Sequence, residues 1–256
     1  MTKIAFFDID GTILPLGNRK PSDKTVYALN KLQENEVILC MATGRSVLSM
    51  PRFDEITFDV FMTFNGSYCF NEKEVIHKNP LEEAEVLQIL ENTKEMNRAM
   101  SLSNVEYLVT NGTDEDLEQY FQFGGEPIVI VEDFEKRCHD EIYQVMLSCK
   151  EHEYDRVLKG TKHSKIAAWW DRAVDIIPLS SGKGIAVEKI LEYYGLSKEE
   201  AIAFGDGSND IEMLKAVGTG IAMGNAKEEV KAFADVICES VENDGIYYCC
   251  KNMGLI

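Results

Sequence analysis

Apolar runs of strand length alternate with amphipathic segments of helical period at both ends of the 256-residue chain, and this alternation constrains the fold more than any other feature. At the N-terminal end "KIAFF" leads to "KTVYALNKLQEN", whose apolar residues at 26, 29 and 32 fit one helix face. Buried strands follow within "EVILCMATG" and "FDVFMTFNG". At the C-terminal end the helix "SGKGIAVEKILEYYGL" precedes the strand "AIAFGDG", the helix "DIEMLKAV", the strand "GIAMG" and the helix "KEEVKAFA". The short strand "DVICE" and the helix "GIYYCCKNM" close the chain. Strands that are apolar throughout are covered on both faces, so the pattern predicts an α/β, doubly wound parallel sheet with helices on either side.

The middle has a different texture. After Pro80, "LEEAEVLQILENTKEMNRAM" reads as an acidic amphipathic helix with Val86, Ile89, Leu90, Thr93 and Met96 along one side. Four strand-like segments then crowd together: "VEYLVT", "PIVIVE", "IYQVMLS" and "KIAAWW". Residues 81–178 are therefore expected to form an inserted α+β domain, and residues 1–80 with 179–256 the core. A composition of 45% hydrophobic and 27% charged residues supports a packed protein of this organisation.

Charge and cysteine usage narrow the function. No apolar run approaches the roughly 18 residues of a membrane span, and the acid in "MTKIAFFDIDG" interrupts what a signal peptide would need, so the chain reads as cytoplasmic. Cys40, Cys69, Cys138, Cys149, Cys238, Cys249 and Cys250 form no C-x-x-C pair and read as reduced thiols. A formal charge of −18 argues against nucleic-acid and anionic-membrane partners. An acidic protein that handles phosphate must supply local positive charge from a lysine, a helix N-terminus or a divalent metal. Nothing in the sequence fixes an oligomeric state.

In an open parallel sheet, ligands bind beyond the carboxyl ends of the strands. Asp8 and Asp10 end the first strand, Thr43, Gly44 and Arg45 the second, Asn65 and Gly66 the third, and Asp206 and Asp210 follow "IAF"; Lys183 opens the helix that re-enters the core. Asp8 and Asp10 would share a face if the strand persisted, and their repulsion calls for a cation or a proton, although turn acids on the surface fit the same pattern. Together these groups suit phosphate ester hydrolysis: one carboxylate attacks phosphorus, another carries a proton, and a third completes a site for a hard cation. Thr43 and the Gly44 amide are expected at a helix start, where Thr43 can also serve as N-cap. Arg45 suits either a contact near the leaving group or a structural ion pair, and Asp210 either a metal site or the cap of "IEMLKAV". In "TKHSKIAAWWDR", His163, Trp169 and Trp170 could face a sugar, or pack in a core; His77, His139 and His152 have no metal-ligand spacing.

"DIDGT", "ATGR", the lysine of "SSGKGIA" and "GDGSNDIEML" resemble, in order, the four motifs of the haloacid dehalogenase (HAD) superfamily of phosphatases. The likeness is finer to the Cof-like group of sugar-phosphate phosphatases, through "NGS" at 65–67, where the group has N-G-A, and "NDGI" at 243–246. This resemblance implies a Rossmann-like core with a large inserted α+β cap domain, hydrolysis of a small phosphorylated metabolite, and Mg²⁺. It implies that Asp8 is the nucleophile and Asp10 the general acid and base. It implies a metal site of Asp8, the Asp10 carbonyl and Asp206, with Asp210 alongside, and phosphoryl contacts from Ile9, Thr43, Gly44, Lys183 and Asn209. Two rival readings keep the same motifs: a phosphotransferase or mutase of the superfamily, and a non-enzymatic receiver-like regulator, against which Asp10 speaks.

Overall fold

The computed structural model describes residues 1–168 and 171–256; Trp169 and Trp170, and the sugar contact considered for them, lie outside the described residues. The chain begins β1 (Ile4–Phe7), α1 (Asp23–Glu34), β2 (Ile38–Ala42), β3 (Val60–Thr63), β4 (Tyr68–Asn71) and β5 (Val75–Lys78). It continues α2 (Glu83–Glu95), β6 (Ser101–Ser103), β7 (Leu108–Thr110), α3 (Glu115–Gly124), α4 (Phe134–Arg137), β8 (Gln144–Ser148), α5 (Tyr154–Val157), β9 (Ser164–Ala167) and β10 (Ala173–Pro178). It ends α6 (Lys183–Tyr194), β11 (Ala201–Gly205), α7 (Ile211–Ala216), β12 (Thr219–Ala222), α8 (Glu228–Lys231), β13 (Val236–Ile237) and α9 (Gly245–Asn252).

Two sheets organise these elements. The larger has the order β13-β12-β11-β1-β2-β3-β4-β5, parallel from β13 to β3 and antiparallel across β3, β4 and β5. Alternation along β1 explains its unbroken apolar run. Ala5 and Phe7 enter the layer with Leu29, Leu32 and Ile246, while Ile4 and Phe6 enter the layer with Ala186, Val187 and Ile190. Each layer loses its water only because helices cover both faces. The chain order reverses between β1 and β11, so the crevice at the carboxyl ends of β1, β2 and β11 is where this topology places a ligand. The fold is thus the doubly wound Rossmann-like core with an inserted α+β cap.

The cap sheet is antiparallel, in the order β7-β6-β8-β10-β9. On one face Val86, Ile89 and Leu90 of α2 pack on Leu102, Val145, Leu147, Val174 and Ile176. On the other, Leu117, Tyr120 and Phe121 of α3 pack on Met146 and Ala173.

Several local expectations fail for physical reasons. The segment "PIVIVE" forms no strand beyond a single bridge from Ile130 to Thr110; Ile128 and Val131 pack against the cap core while Val129 and Ile130 stay exposed. In "VEYLVT" the first three residues are lost to a turn in which the Asn104 carboxamide accepts the Glu106 and Tyr107 amides. Helix α3 was hidden in "EDLEQYFQFG"; Asp114 caps it by accepting the Leu117 amide, and Gly125 ends it in the left-handed region. The strands β6 and β10 and the hairpin β4–β5 were also unread, since three-residue "SLS" and acid-bearing "AVDIIP" lack a clean apolar pattern.

The two segments of the core meet at Gly66. Its φ is +93°, and a Cβ there would lie 2.6 Å from the Gly182 carbonyl oxygen and 2.8 Å from the Ala186 Cβ. Gly66→Ala is therefore expected to destabilise the protein by about 2–3 kcal/mol in urea unfolding. A loss below about 0.5 kcal/mol, the level of an ordinary surface change, would contradict this contact.

Candidate active site

Asp8 stands one residue beyond β1, where its amide donates to the Phe204 carbonyl at 3.0 Å and carries the β1–β11 pairing one step further. Its side chain is therefore aimed by the sheet itself. The chain then turns tightly: the Ile9 carbonyl accepts the amides of Thr12, Ile13 and Leu14, so Asp10 sits in a loop and does not continue the strand. Gly11 has φ +97°, and a Cβ on it would fall 2.1 Å from an Asp206 carboxylate oxygen. Only glycine lets this turn pass the carboxylate. Thr12 donates its hydroxyl to Asp206 at 2.9 Å, and Asn225 holds the Gly11 carbonyl at 2.8 Å.

Asp206 follows β11, and four residues later Asp210 folds back to accept the Asp206 and Gly207 amides at 3.0 and 2.9 Å. Asp8, Asp206 and Asp210 each bring a carboxylate oxygen within 4.8 Å of the others. Lys183, the first residue of α6, is fully buried and donates to Asp8 and to Asp210, both at 2.6 Å. Burial, followed by the Asp210 charge, pushes the Asp8 carboxyl well above the usual carboxylate range. The same causes push Asp206 up to about 7. Burial alone would lower the Lys183 ammonium, but the Asp210 and Asp8 carboxylates outweigh it and hold the proton on. Once ionised, three carboxylates against one ammonium leave a surplus of two negative charges among oxygen donors only. This set fits a hard dication such as Mg²⁺.

Asp10 lies outside this cluster. Arg45 grips both of its carboxylate oxygens at 2.8 Å, and the same guanidinium reaches the Gly124 carbonyl at the end of α3 at 3.2 Å. The ion pair considered for Arg45 is thus present, and it also spans core and cap. Thr43 and Gly44 do not start a helix. Thr43 accepts the Arg45 amide at 3.1 Å, the Ser46 hydroxyl takes the Leu48 and Ser49 amides, and Pro51 follows, so the backbone is spent on turns. Among the described residues the Ile9 and Gly44 amides meet no protein acceptor. Asn209 donates to Asn65 at 3.0 Å. The structure therefore brings Asp8, Asp206, Asp210 and Lys183 together, sets Asp10 and Thr43 in loops at the same sheet edge, and sets Asn209 in the short 3-10 turn Ser208–Asp210. Sequence reasoning passed over Thr12 and Asn225, whose single polar side chains carry no pattern, and Asp175, an acid inside an apolar strand that could have been noticed.

Removing Lys183 leaves Asp8 and Asp210 facing each other without compensation. Lys183→Met is expected to cost about 3–5 kcal/mol of stability near pH 8. The Asp8 carboxyl, already raised by burial, then binds its proton still more tightly in the folded than in the unfolded chain, so stability falls as pH rises and the deficit shrinks toward pH 5.5. Urea unfolding at both pH values measures it, and an equal deficit would contradict the charge balance.

Comparison with known proteins agrees with this geometry. A family model described as haloacid dehalogenase-like hydrolase matches residues 5–249. The putative phosphatase YkrA of Bacillus subtilis (strain 168) is 30% identical, over 100% of this chain and 99% of its own. The B. subtilis 5-amino-6-(5-phospho-D-ribitylamino)uracil phosphatase YitU is 27% identical over 93% of each chain. Among solved structures, the HAD subclass IIB sugar phosphatase BT4131 superposes with a TM-score of 0.91 at 28% identity, covering 100% of both chains. The chain belongs to the haloacid dehalogenase-like hydrolases and is a phosphatase of that family.

Proposed function

We propose that this phosphatase hydrolyses small phosphorylated metabolites, sugar phosphates foremost, through an aspartyl-phosphate on Asp8, with Mg²⁺ as cofactor. The observation that carries this reading is the Asp8 carboxylate fixed at a strand end, 2.6 Å from a buried lysine and beside two further acids. In it, an Asp8 oxygen attacks phosphorus while Asp10 gives its proton to the departing oxygen; Asp10 then takes a proton from the water that hydrolyses the acyl phosphate. Asp10 must leave at least one of its two Arg45 contacts to do so. Lys183 balances the charge of Asp8, and the Ile9 and Gly44 amides, the Thr43 hydroxyl and the Asn209 amide hold phosphoryl oxygens. Asp8, Asp206 and the Asp10 carbonyl would ligate the metal, with Asp210 behind them. Bound Mg²⁺ supplies the positive charge that offsets repulsion between Asp8 and the phosphoryl group. In this reading residues 1–80 and 179–256 do the chemistry, and residues 81–178 choose the substrate.

Phosphate release is tested over sugar phosphates, nucleotides, pyridoxal phosphate, flavin mononucleotide and the ribitylaminouracil phosphate of the YitU relative. Turnover is expected to require Mg²⁺, and Asp8→Asn is expected to lower kcat about a thousandfold or more. Turnover that survives chelation, or an active Asp8→Asn enzyme, would overturn the proposal. Transfer of the phosphoryl group to an added sugar in place of water would mark a phosphotransferase.

Metal binding has its own signature. Metal-free Asp206, held up to about 7, carries a proton over part of the neutral range that a cation must expel. Calorimetry in buffers of different ionisation enthalpy is expected to find protons released on Mg²⁺ binding near pH 6.5, fewer near pH 8.5, and tighter binding at the higher pH. Binding without proton release at pH 6.5 would contradict it.

A further inference from the structure

One buried acid that the proposed chemistry does not use stands away from the Asp8 cluster. Asp175, in the middle of β10, is 1% exposed, and its neighbours Val174 and Ile176 enter the apolar layer under α2, so Asp175 points to the opposite face of the cap sheet. There it accepts from the Tyr120 hydroxyl of α3 and, at 2.9 Å, from the Asn65 amide nitrogen. Asn65, after β3, is buried and held in the left-handed region at φ +53°, which asparagine tolerates better than most residues. Its amide oxygen accepts in turn from Asn209, on the loop after β11, at 3.0 Å. One line of polar contacts therefore runs from cap helix to cap strand to core loop to the Asp206–Asp210 loop.

The chemistry gives this line a direction. An ionised carboxylate has acceptors and no proton to donate, so it takes only the NH₂ end of Asn65. Asn65 must then offer its oxygen to Asn209, and Asn209 must offer its NH₂, keeping a second N–H for another acceptor. Turning Asn65 over would turn Asn209 over as well and move that second donor from its place. Burial pushes the Asp175 carboxyl up to about 7, against the pull of the Tyr120, Asn65 and Gln144 donors, so the acceptor-only ion prevails at pH 8. Gly44 closes on the same amide: a Cβ there would lie 3.0 Å from the Asn65 oxygen.

We propose that Asp175 is a positioning residue for phosphate binding, acting through Asn65 to fix the orientation of the Asn209 amide, so that a cap side chain sets part of the phosphate site. The inference rests on the reading that Asn209 holds a phosphoryl oxygen. It predicts that a change in the cap, remote from phosphorus, alters affinity for phosphate itself as well as for the rest of the substrate.

Calorimetric binding of inorganic phosphate to the Mg²⁺-loaded protein at pH 8 tests it without requiring turnover. Asp175→Asn, which can present a donor where the ion could not, is expected to weaken phosphate binding about tenfold, and in an Asn209→Ala background by less than about twofold, the non-additivity of groups in one hydrogen-bonded network. Asn65→Gly, which keeps the left-handed backbone and removes the side chain, is expected to repeat both results and carries the test if Asp175→Asn does not fold. Losses that multiply in the double variants would overturn the relay and leave the phosphatase reading standing. A wild-type protein that binds no phosphate would overturn the reading of Asn209 as a phosphoryl contact, and the relay with it.

Discussion

The contact of one buried ammonium with two carboxylates, Lys183 with Asp8 and Asp210, is the constraint on which the rest of the site depends. Charges are taken out of water at such a position only when partners replace the lost solvation. The fold supplies them from three places in the sequence. Asp8 comes from the end of β1, Lys183 from the start of α6, and Asp210 from the turn after β11, a turn tied by its own acceptance of two amides. Because these attachments lie on adjacent parallel strands and the helix packed on them, the sheet's pairing, and not the side chains, sets their spacing. One ammonium against three acids still leaves the site short of positive charge, and the Asp8 and Asp206 carboxyls are raised by burial first and by the Asp210 charge second.

The cap contributes more than a cover. Arg45 spans Asp10 and the Gly124 carbonyl, and Asn65 spans Asn209 and Asp175, so two core side chains at the carboxyl edge of the sheet have cap partners. Further contacts brace the two sheets: Tyr143 stacks on Phe64 with ring centroids 5.4 Å apart, and Lys165 meets Glu212 at 3.2 Å. The exposed Lys165–Glu212 pair is worth little, about 0–1 kcal/mol. The buried amide and carboxylate contacts carry orientation.

How much could be read from the sequence follows from which interactions are local. The core strands were legible because burial on both faces forces continuous apolar runs, Asp8 because it follows such a run, and Lys183, Asp206 and Asp210 because their stretches resemble the family's motifs. The cap was legible only as a region. Its sheet is antiparallel and its strands short, "SLS" carries almost no pattern, and Asp175 makes β10 look unlike a strand although it is buried there. Helix α3 depends on Asp114 and Gly125 at its ends and on packing over Met146 and Ala173, which lie far off in sequence. The residue order suggests a helix start at Thr43–Gly44, where the structure has a turn, because the serine side chains that divert the backbone act through geometry that the residue order does not display.

In the proposed mechanism the two aspartates of "DIDGT" have separate duties, Asp8 as nucleophile and Asp10 as carrier of protons. The most direct measurement is rapid quench of the Asp10→Asn protein with a labelled phosphate ester that has a good leaving group, followed by mapping of the labelled peptide. The account predicts that label accumulates on Asp8, because the nucleophile is intact and the base that activates water is gone. Label on any other residue, or hydrolysis by Asp10→Asn at the wild-type rate, would contradict it.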